Sequence, residues 1–313
     1  MRLLFVMDPP ARVHPDTDTS FALMLEAQAR GARVEHCLPQ DLYLLGGALY
    51  ASVRPVTVQR DADLHMQLGA AQDVALSDVD AIFVRKDPPF DSSYLWTTVM
   101  LEHVRGRTVV INDPRGLRDA NEKLYACHFP ELMPETLVAN DRERIRSFVR
   151  QVGGRAVIKP LDGAGGEGVM ALRETDENFR AIVDVVTHGG SHVAMVQRFL
   201  PEYTAGDKRI LLLDGEPLGA VLRVPQRGDI ASNLHMGGTA HLSAIDDKDR
   251  RIIETLKPRL VRDGLHFVGI DVIGGYLTEV NVTSPTGIQQ ISRLNGENVC
   301  AKVFAWLDKK LSR

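Results

Sequence analysis

Apolar and polar positions fall into blocks along this chain, and the blocks meet at glycine, proline and aspartate. Leu3–Met7 is a short apolar run, as expected of a buried strand, and Asp8-Pro9-Pro10 breaks it. An apolar helix is predicted from about Ser20 to Arg30, closed by Gly31. Two more strand-like runs, Ala81–Val84 and Thr108–Ile111, end in polar or proline-rich residues. Strands alternating with helices predict an open α/β sheet over residues 1–120. In such sheets ligands gather beyond the carboxyl ends of the strands. Asp8-Pro9-Pro10, the block Arg85-Lys86-Asp87-Pro88-Pro89-Phe90-Asp91, and Asn112-Asp113-Pro114 occupy that place.

The pattern changes after Asn121. A helix carrying Ile145, Phe148, Val149 and Val152 ends at Gly153-Gly154, and strand Ala156–Lys159 follows. The glycine loop Asp162-Gly163-Ala164-Gly165-Gly166-Glu167-Gly168 then leads into strand Val169–Leu172. A helix near Glu177–Val186 and strand Val193–Gln197 complete the block, so residues 121–200 read as a small α+β lid with its own core. Residues 201–313 are again strand-rich. Arg209–Leu213 and Leu218–Val224 form a hairpin across Asp214-Gly215, and Val268–Ile273 with Leu277–Val282 form another across Gly274-Gly275. Pro225–His241, with Gly228, Gly237 and Gly238 and few large apolar residues, reads as a mobile loop. A helix at about Asp247–Asp263 separates it from the second hairpin, and one final helix is predicted to run to the C-terminus.

Composition narrows the classes. Of 313 residues, 37 are Lys or Arg and 41 Asp or Glu, so the formal charge is 37 − 41 = −4. That balance, with 44% hydrophobic residues, excludes dominant disorder and nucleic-acid binding through overall basic charge. The length allows two or three domains with a cleft between them. Cys37, Cys127 and Cys300 lie far apart and form no CxxC, which points to reduced thiols in a cytoplasmic protein. No signal peptide and no membrane span is expected, since no apolar run approaches ~18 residues.

Several residues could carry chemistry. The glycine loop lets backbone N–H groups approach an anion, although a flexible hairpin tip has the same composition. It lacks the ending of a Walker A loop. Lys159, at the end of the strand entering the loop, can lie over phosphates, and Lys123 is a second candidate cation. Glu279 and Asn281 share one face of a strand by their period-2 spacing, and Asp271 can meet them from the partner strand. Such hard oxygen ligands suit Mg²⁺, while carboxylates held by arginines are the alternative. Asp207 and Arg209, Arg223, and the Ser284-Pro285-Thr286-Gly287 turn can meet charged substrate groups or simply be solvated. His235 is either a general base or a solvated loop histidine.

Together, Lys123, Lys159, the glycine loop, Gln197-Arg198-Phe199-Leu200 and Asp271/Glu279/Asn281 resemble the ATP-grasp superfamily. The match goes closer in Val6-Met7-Asp8-Pro9, the Arg85–Asp91 block, Asn121-Glu122-Lys123-Leu124, Pro134-Glu135-Thr136-Leu137 and Lys159-Pro160-Leu161-Asp162-Gly163. Gly206-Asp207-Lys208-Arg209 and Glu279-Val280-Asn281-Val282-Thr283-Ser284-Pro285-Thr286 complete a pattern that resembles the bacterial glutathione synthetases over nearly the whole chain.

The resemblance implies an α/β fold of the ATP-grasp type, with an N-terminal open α/β sheet domain and two α+β lobes clamping ATP. It implies ATP phosphates on Lys123 and Lys159, with Gly163, Gly165 and Gly166 of the loop covering the β/γ end. Gln197, Phe199 and Leu200 would line the adenine and Asp207 would face the ribose. Asp271, Glu279 and Asn281 would hold Mg²⁺, with Mn²⁺ as a substitute. Arg85, Asp87, Arg209, Arg223, Ser284 and Thr286 would meet the substrates, and Arg209 and Lys159 would act at the acyl phosphate. The implied reaction joins γ-glutamylcysteine to glycine, with Pro225–His241 closing over it. The implied assembly is a homo-oligomer, dimer or tetramer, with no nucleic-acid or membrane partner.

This chain departs from the family pattern at Ala231, at Thr239 and at Gly287, which bears on acceptor selectivity. The competing readings are an ATP-grasp ligase for another acyl donor or amine, and a catalytically silent nucleotide-binding regulator. The second would be expected to lack Lys159, Glu279 or Asn281, and all are present.

Overall fold

The computed structural model describes residues 1–61, 64–163, 165–225 and 239–312, and it is built on three sheets. In the N-terminal sheet Arg2–Met7 is central, flanked in parallel by Arg33–Cys37 and Ala81–Arg85, with Val109–Ile111 beyond the latter. The long strand Ala48–Val58 continues the sheet antiparallel to Arg33–Cys37 and pairs with three short strands. Asp18 caps helix Thr19–Ala29 by accepting from the Phe21 N–H, and Asp91 caps Ser92–Leu101 through Tyr94 in the same way.

The lid is a four-stranded antiparallel sheet in the order Met170–Arg173, Arg155–Pro160, Ala194–Arg198, Thr136–Ala139. Helices Arg142–Gln151 and Phe179–Val186 cover one face of it. Its core of Ile145, Val149, Ile158, Phe179, Val183 and Val196 forms a cluster separate from the rest.

The C-terminal sheet runs Thr239–Leu242, Glu216–Val224, Asp207–Leu213, Phe267–Ile273, Tyr276–Asn281, antiparallel throughout. Helix Asp247–Arg262, opened by an Asp246/Asp249 capping box, packs on it. Two corrections to the sequence expectations arise here. The predicted C-terminal helix is two helices, Ile288–Asn295 and Val299–Leu311, separated at Gly296, whose φ of 67° ends the first one. The predicted loop Pro225–His241 ends in a strand, because Thr239–Leu242 pairs with Val221–Val224; Ala231 and His235 lie outside the described residues.

The N- and C-terminal sheets share their cores. One cluster joins Leu4, Ile82 and Val84 to Ile210, Leu256 and Val280, and the other joins Phe5 and Phe83 to Leu211, Ile291 and Phe304. Asn112 fastens the junction: its Nδ2 donates to Phe267 O and Val282 O at 2.8 Å each, and its Oδ1 accepts from Phe267 N at 2.7 Å. Beside it Asp113 N donates to Gly264 O at 3.0 Å. No helix among the described residues is long and apolar enough to cross a membrane.

Candidate active site

The lid sheet and the C-terminal sheet face each other across a cleft, and strand register decides what lines its floor. Arg209 stands directly opposite Asp271, Asp271 opposite Glu279, and Asp207 opposite Arg223. Residues two apart on a strand share a face, so Asp207 joins Arg209 and Glu279 joins Asn281. Arg209 grips Asp271 in a fork, Nε to Oδ1 at 2.5 Å and Nη2 to Oδ2 at 2.9 Å. Arg223 reaches Asp271 Oδ1 at 3.0 Å and also pairs with Asp207. Arg209 further donates to Thr286 O at 3.2 Å, which ties this row to the Ser284–Thr286 turn.

Burial alone would raise the Asp271 carboxyl, but the two guanidinium groups outweigh it and hold it well below the usual range. Asp207 is pushed up, because burial there exceeds the pull of Arg223.

Two lysines enter from the other side. Lys159 ends the strand before the glycine loop and Lys123 precedes a short 3-10 turn; they are 7% and 3% exposed, although lysine is rarely buried. Each lies 3.8 Å from Glu279 Oε1, so the three converge on one point. Lys123 Nζ also donates to Gly163 O at 2.5 Å, which places it under the glycine loop. Burial lowers the Lys159 pKa, with Lys123 adding to the fall and Glu279 opposing it.

Beyond the lysines the cleft turns apolar and narrow. Val157, Val169, Phe199, Leu200 and Ile273 line it with Gly165 and Gly166 above, a slot suited to a flat ring. Gln197 lines it too, and its side chain is anchored by donating to Thr136 Oγ1 at 3.1 Å. The Arg155 guanidinium lies 3.4 Å over the Phe199 ring and holds it at the slot's edge.

The opposite end of the cleft meets the N-terminal domain. Asp87, Lys123, Arg209, Ser284 and Thr286 line it together. Arg85 lies behind this wall, not on it: its Nε donates to Ser20 Oγ at 3.0 Å and its Nη2 to Pro285 O at 2.9 Å. Its Nη1 is buried without a partner among the described residues. Arg85 therefore fixes the Ser-Pro-Thr turn from inside, and Ser284 Oγ is 3.5 Å from Arg85 O.

Among the described residues, the cleft thus brings together the phosphate, nucleotide, metal and substrate candidates singled out in the sequence except Arg85, which sits one layer back; His235 lies outside the described residues. Sequence reasoning passed over the apolar walls, Val157, Val169 and Ile273. The signal was available in Val157, which alternates with core residue Ile158 and so faces outward. It also passed over Glu122, which lines the substrate end.

For a cation, Asp271, Glu279 and Asn281 offer hard oxygens. Asn281 turns its Nδ2 to Gly269 O and Asp271 Oδ2, at 3.3 and 3.2 Å, which leaves its amide oxygen on the other side. Among the described residues no group of three or more His, Cys, Asp or Glu could hold a metal alone. A divalent ion here would need further oxygens, such as those of phosphates.

Known proteins match this chain over nearly its whole length. The family model for the N-terminal domain of prokaryotic glutathione synthetase matches residues 1–118, and that for its ATP-grasp domain matches residues 122–296. A glutathione synthetase of Thermosynechococcus vestitus is 45% identical, covering 98% of this chain and 99% of its own. One from Gloeobacter violaceus is 47% identical over 98% and 96%. Among solved structures, D-cycloserine synthetase DcsG superposes with a TM-score of 0.69 at 16% identity, covering 99% of this chain and all of its own. D-alanyl-alanine synthetase A of Vibrio cholerae gives 0.61 at 11%, covering 100% and 98%. These two share the fold. The full-length matches decide the family: the chain belongs to the prokaryotic glutathione synthetases, within the ATP-grasp fold.

Proposed function

We propose that this protein is an ATP-dependent ligase that joins γ-glutamylcysteine to glycine, releasing ADP and phosphate. The observation that carries the reading is the convergence of Lys123, Lys159 and Glu279 beneath the glycine loop, one strand from the Arg209–Asp271 fork. Adenine enters the apolar slot beside Phe199 and Leu200, with the ribose toward Asp207. The phosphates extend over Lys159 and Lys123.

Asp271, Glu279 and Asn281 would hold Mg²⁺, for which their oxygens fit, and Mn²⁺ would fit the same set. The ion would screen the phosphate charges and orient the γ-phosphoryl group.

The cysteinyl carboxylate, placed by Arg209 and the Ser284–Thr286 turn, attacks the γ-phosphorus, and ADP leaves. The glycine amine then attacks the acyl carbon, the C–O bond to phosphate breaks, and the amine's proton is lost. Negative charge grows on oxygen in both steps, so buried cations placed in advance do most of the catalytic work. Arg223 neutralises Asp207 and shares Asp271, which steadies Arg209. Asp87, with Arg85 behind it, shapes the donor end. The acyl phosphate must be kept from water, a task we assign to the glycine loop; most of the 225–241 segment lies outside the described residues. The reading extends to a cytoplasmic homo-oligomer, dimer or tetramer, acting on small molecules only.

Purified protein with ATP, Mg²⁺, γ-glutamylcysteine and glycine should release phosphate, and omission of either amino-acid substrate should reduce release to background. Release independent of γ-glutamylcysteine or glycine would refute the assignment.

A further inference from the structure

The cleft holds a carboxylate that the reaction as described does not use. Glu122 lines its substrate end with Asp87, Ser284 and Thr286. Its Oε1 accepts from Thr283 Oγ1 at 2.7 Å, Val282 N at 3.2 Å and Thr283 N at 3.3 Å. All three donors are neutral and all take the same oxygen, so Oε2 makes no hydrogen bond among the described residues. Other buried carboxylates in the fold have a cation at ion-pair distance. Glu35 takes Arg2 and Arg33 at 2.9 and 2.7 Å, Asp249 takes Lys208 at 2.5 Å, and Asp271 takes Arg209. Among the described residues Glu122 has no basic side chain within ion-pair distance, although burial already pushes its carboxyl pKa upward. Lys123 acts on it only from beyond ion-pair distance, and a carboxylate sunk in a cleft without a paired cation is costly unless something brings the charge.

We propose that Glu122 Oε2 is the receptor for a substrate ammonium group, with Oε1 locked by Thr283 so that the free oxygen faces the cleft. This deepens the ligase reading and rests on it. Both amino-acid substrates bring an ammonium: the α-ammonium of the γ-glutamyl donor, and the amine of glycine before it loses its proton. The chemistry is shared, and the substrates separate the sources.

The test uses Glu122→Gln, which keeps an oxygen for Thr283 and removes the charge. It is measured with γ-glutamylcysteine against glutarylcysteine, which lacks the α-amino group, and with glycine against hydroxylamine, which is largely uncharged at neutral pH. The KM for the recognised substrate should rise by roughly tenfold or more, with kcat changed far less and Mg-ADP affinity unchanged. A penalty that vanishes with glutarylcysteine assigns the donor; one that vanishes with hydroxylamine assigns the acceptor. An equal penalty on every combination, or none, overturns the proposal. Thr283→Val guards against a purely structural effect: it breaks the lock but keeps the charge, so substrate discrimination should survive in it. If it loses discrimination as Glu122→Gln does, the role is structural and the proposal fails. If wild-type protein shows no turnover dependent on γ-glutamylcysteine and glycine, the ligase reading fails and takes this with it.

Discussion

Asp271 and Glu279 stand opposite each other on paired strands, yet their surroundings make them different residues. Asp271 is 4% exposed and bears two guanidinium groups, so Asp271→Asn leaves both facing a neutral amide. Breaking a buried pair in this way costs about 3 kcal/mol, and denaturant unfolding of the variant should report a loss of that order. The Glu279 side chain is 24% exposed and, among the described residues, pairs with two lysines at 3.8 Å. Glu279→Gln should unfold within about 1 kcal/mol of the parent, while its activity falls steeply at limiting Mg²⁺. If both variants lose stability equally, the contrast between the arginine-held and the lysine-facing carboxylate is wrong. The sequence offered both possibilities, metal ligands or carboxylates held by arginines, and spacing alone could not choose between them. In the structure without ligands Asp271 is arginine-held. Glu122 was illegible for another reason. Its partners, Val282 and Thr283, are 160 and 161 positions away, and a glutamate beside a lysine looks like any solvated pair.

At the scale of elements, the C-terminal helix is fastened to the first hairpin of its sheet by one turn residue. Asp214 accepts from His266 Nδ1 at 2.8 Å and from Trp306 Nε1 at 3.2 Å, with Lys310 at 3.6 Å. Burial is the chief cause that lowers His266, while Asp214 is lowered by Trp306 and His266 against the opposing effect of burial. Both shifts act in one direction. A group with a depressed folded pKa binds protons more readily when unfolded, so its contribution is present above the unfolded value and fades as pH falls. The melting temperature should therefore decline below about pH 6.5 as unfolded His266 protonates, and further below about pH 4 through Asp214. Replacing His266 with Gln should flatten the upper part of that decline, which thermal scans across pH would detect.

Uniform strands such as Leu3–Met7 and Ala81–Arg85 were legible because both of their faces are buried. The long strand Ala48–Val58 was not. Arg54 and Pro55 interrupt its pattern, and it pairs with four different strands, none of which leaves a local mark. The C-terminal helix break was missed because Gly296 sits between two apolar segments that read as one.

At the scale of the molecule, the N- and C-terminal sheets share their cores, while most of the lid's core is its own. The blocks of sequence pattern announced the lid, since its core forms from residues near one another in the chain. The shared cores of the other two sheets were invisible, because Leu4 and Val280 join one cluster only in three dimensions. Their junction is tight at Gly116, where a Cβ would stand 2.2 Å from Asp263 O. Gly116→Ala should lower stability by roughly 2–4 kcal/mol. A calorimetric scan should show the loss in the main transition while the lid is spared.

The lid's attachment has a further meaning. Its first strand, Thr136–Ala139, and its last, Ala194–Arg198, lie side by side, with Thr136 opposite Gln197 and their side chains bonded. The chain enters and leaves the lid at one place, which makes the line of these two strands the natural hinge for a swing against the body. A distance from a label on the outer helix Arg142–Gln151 to another on the body would therefore report a swing of the lid about that line.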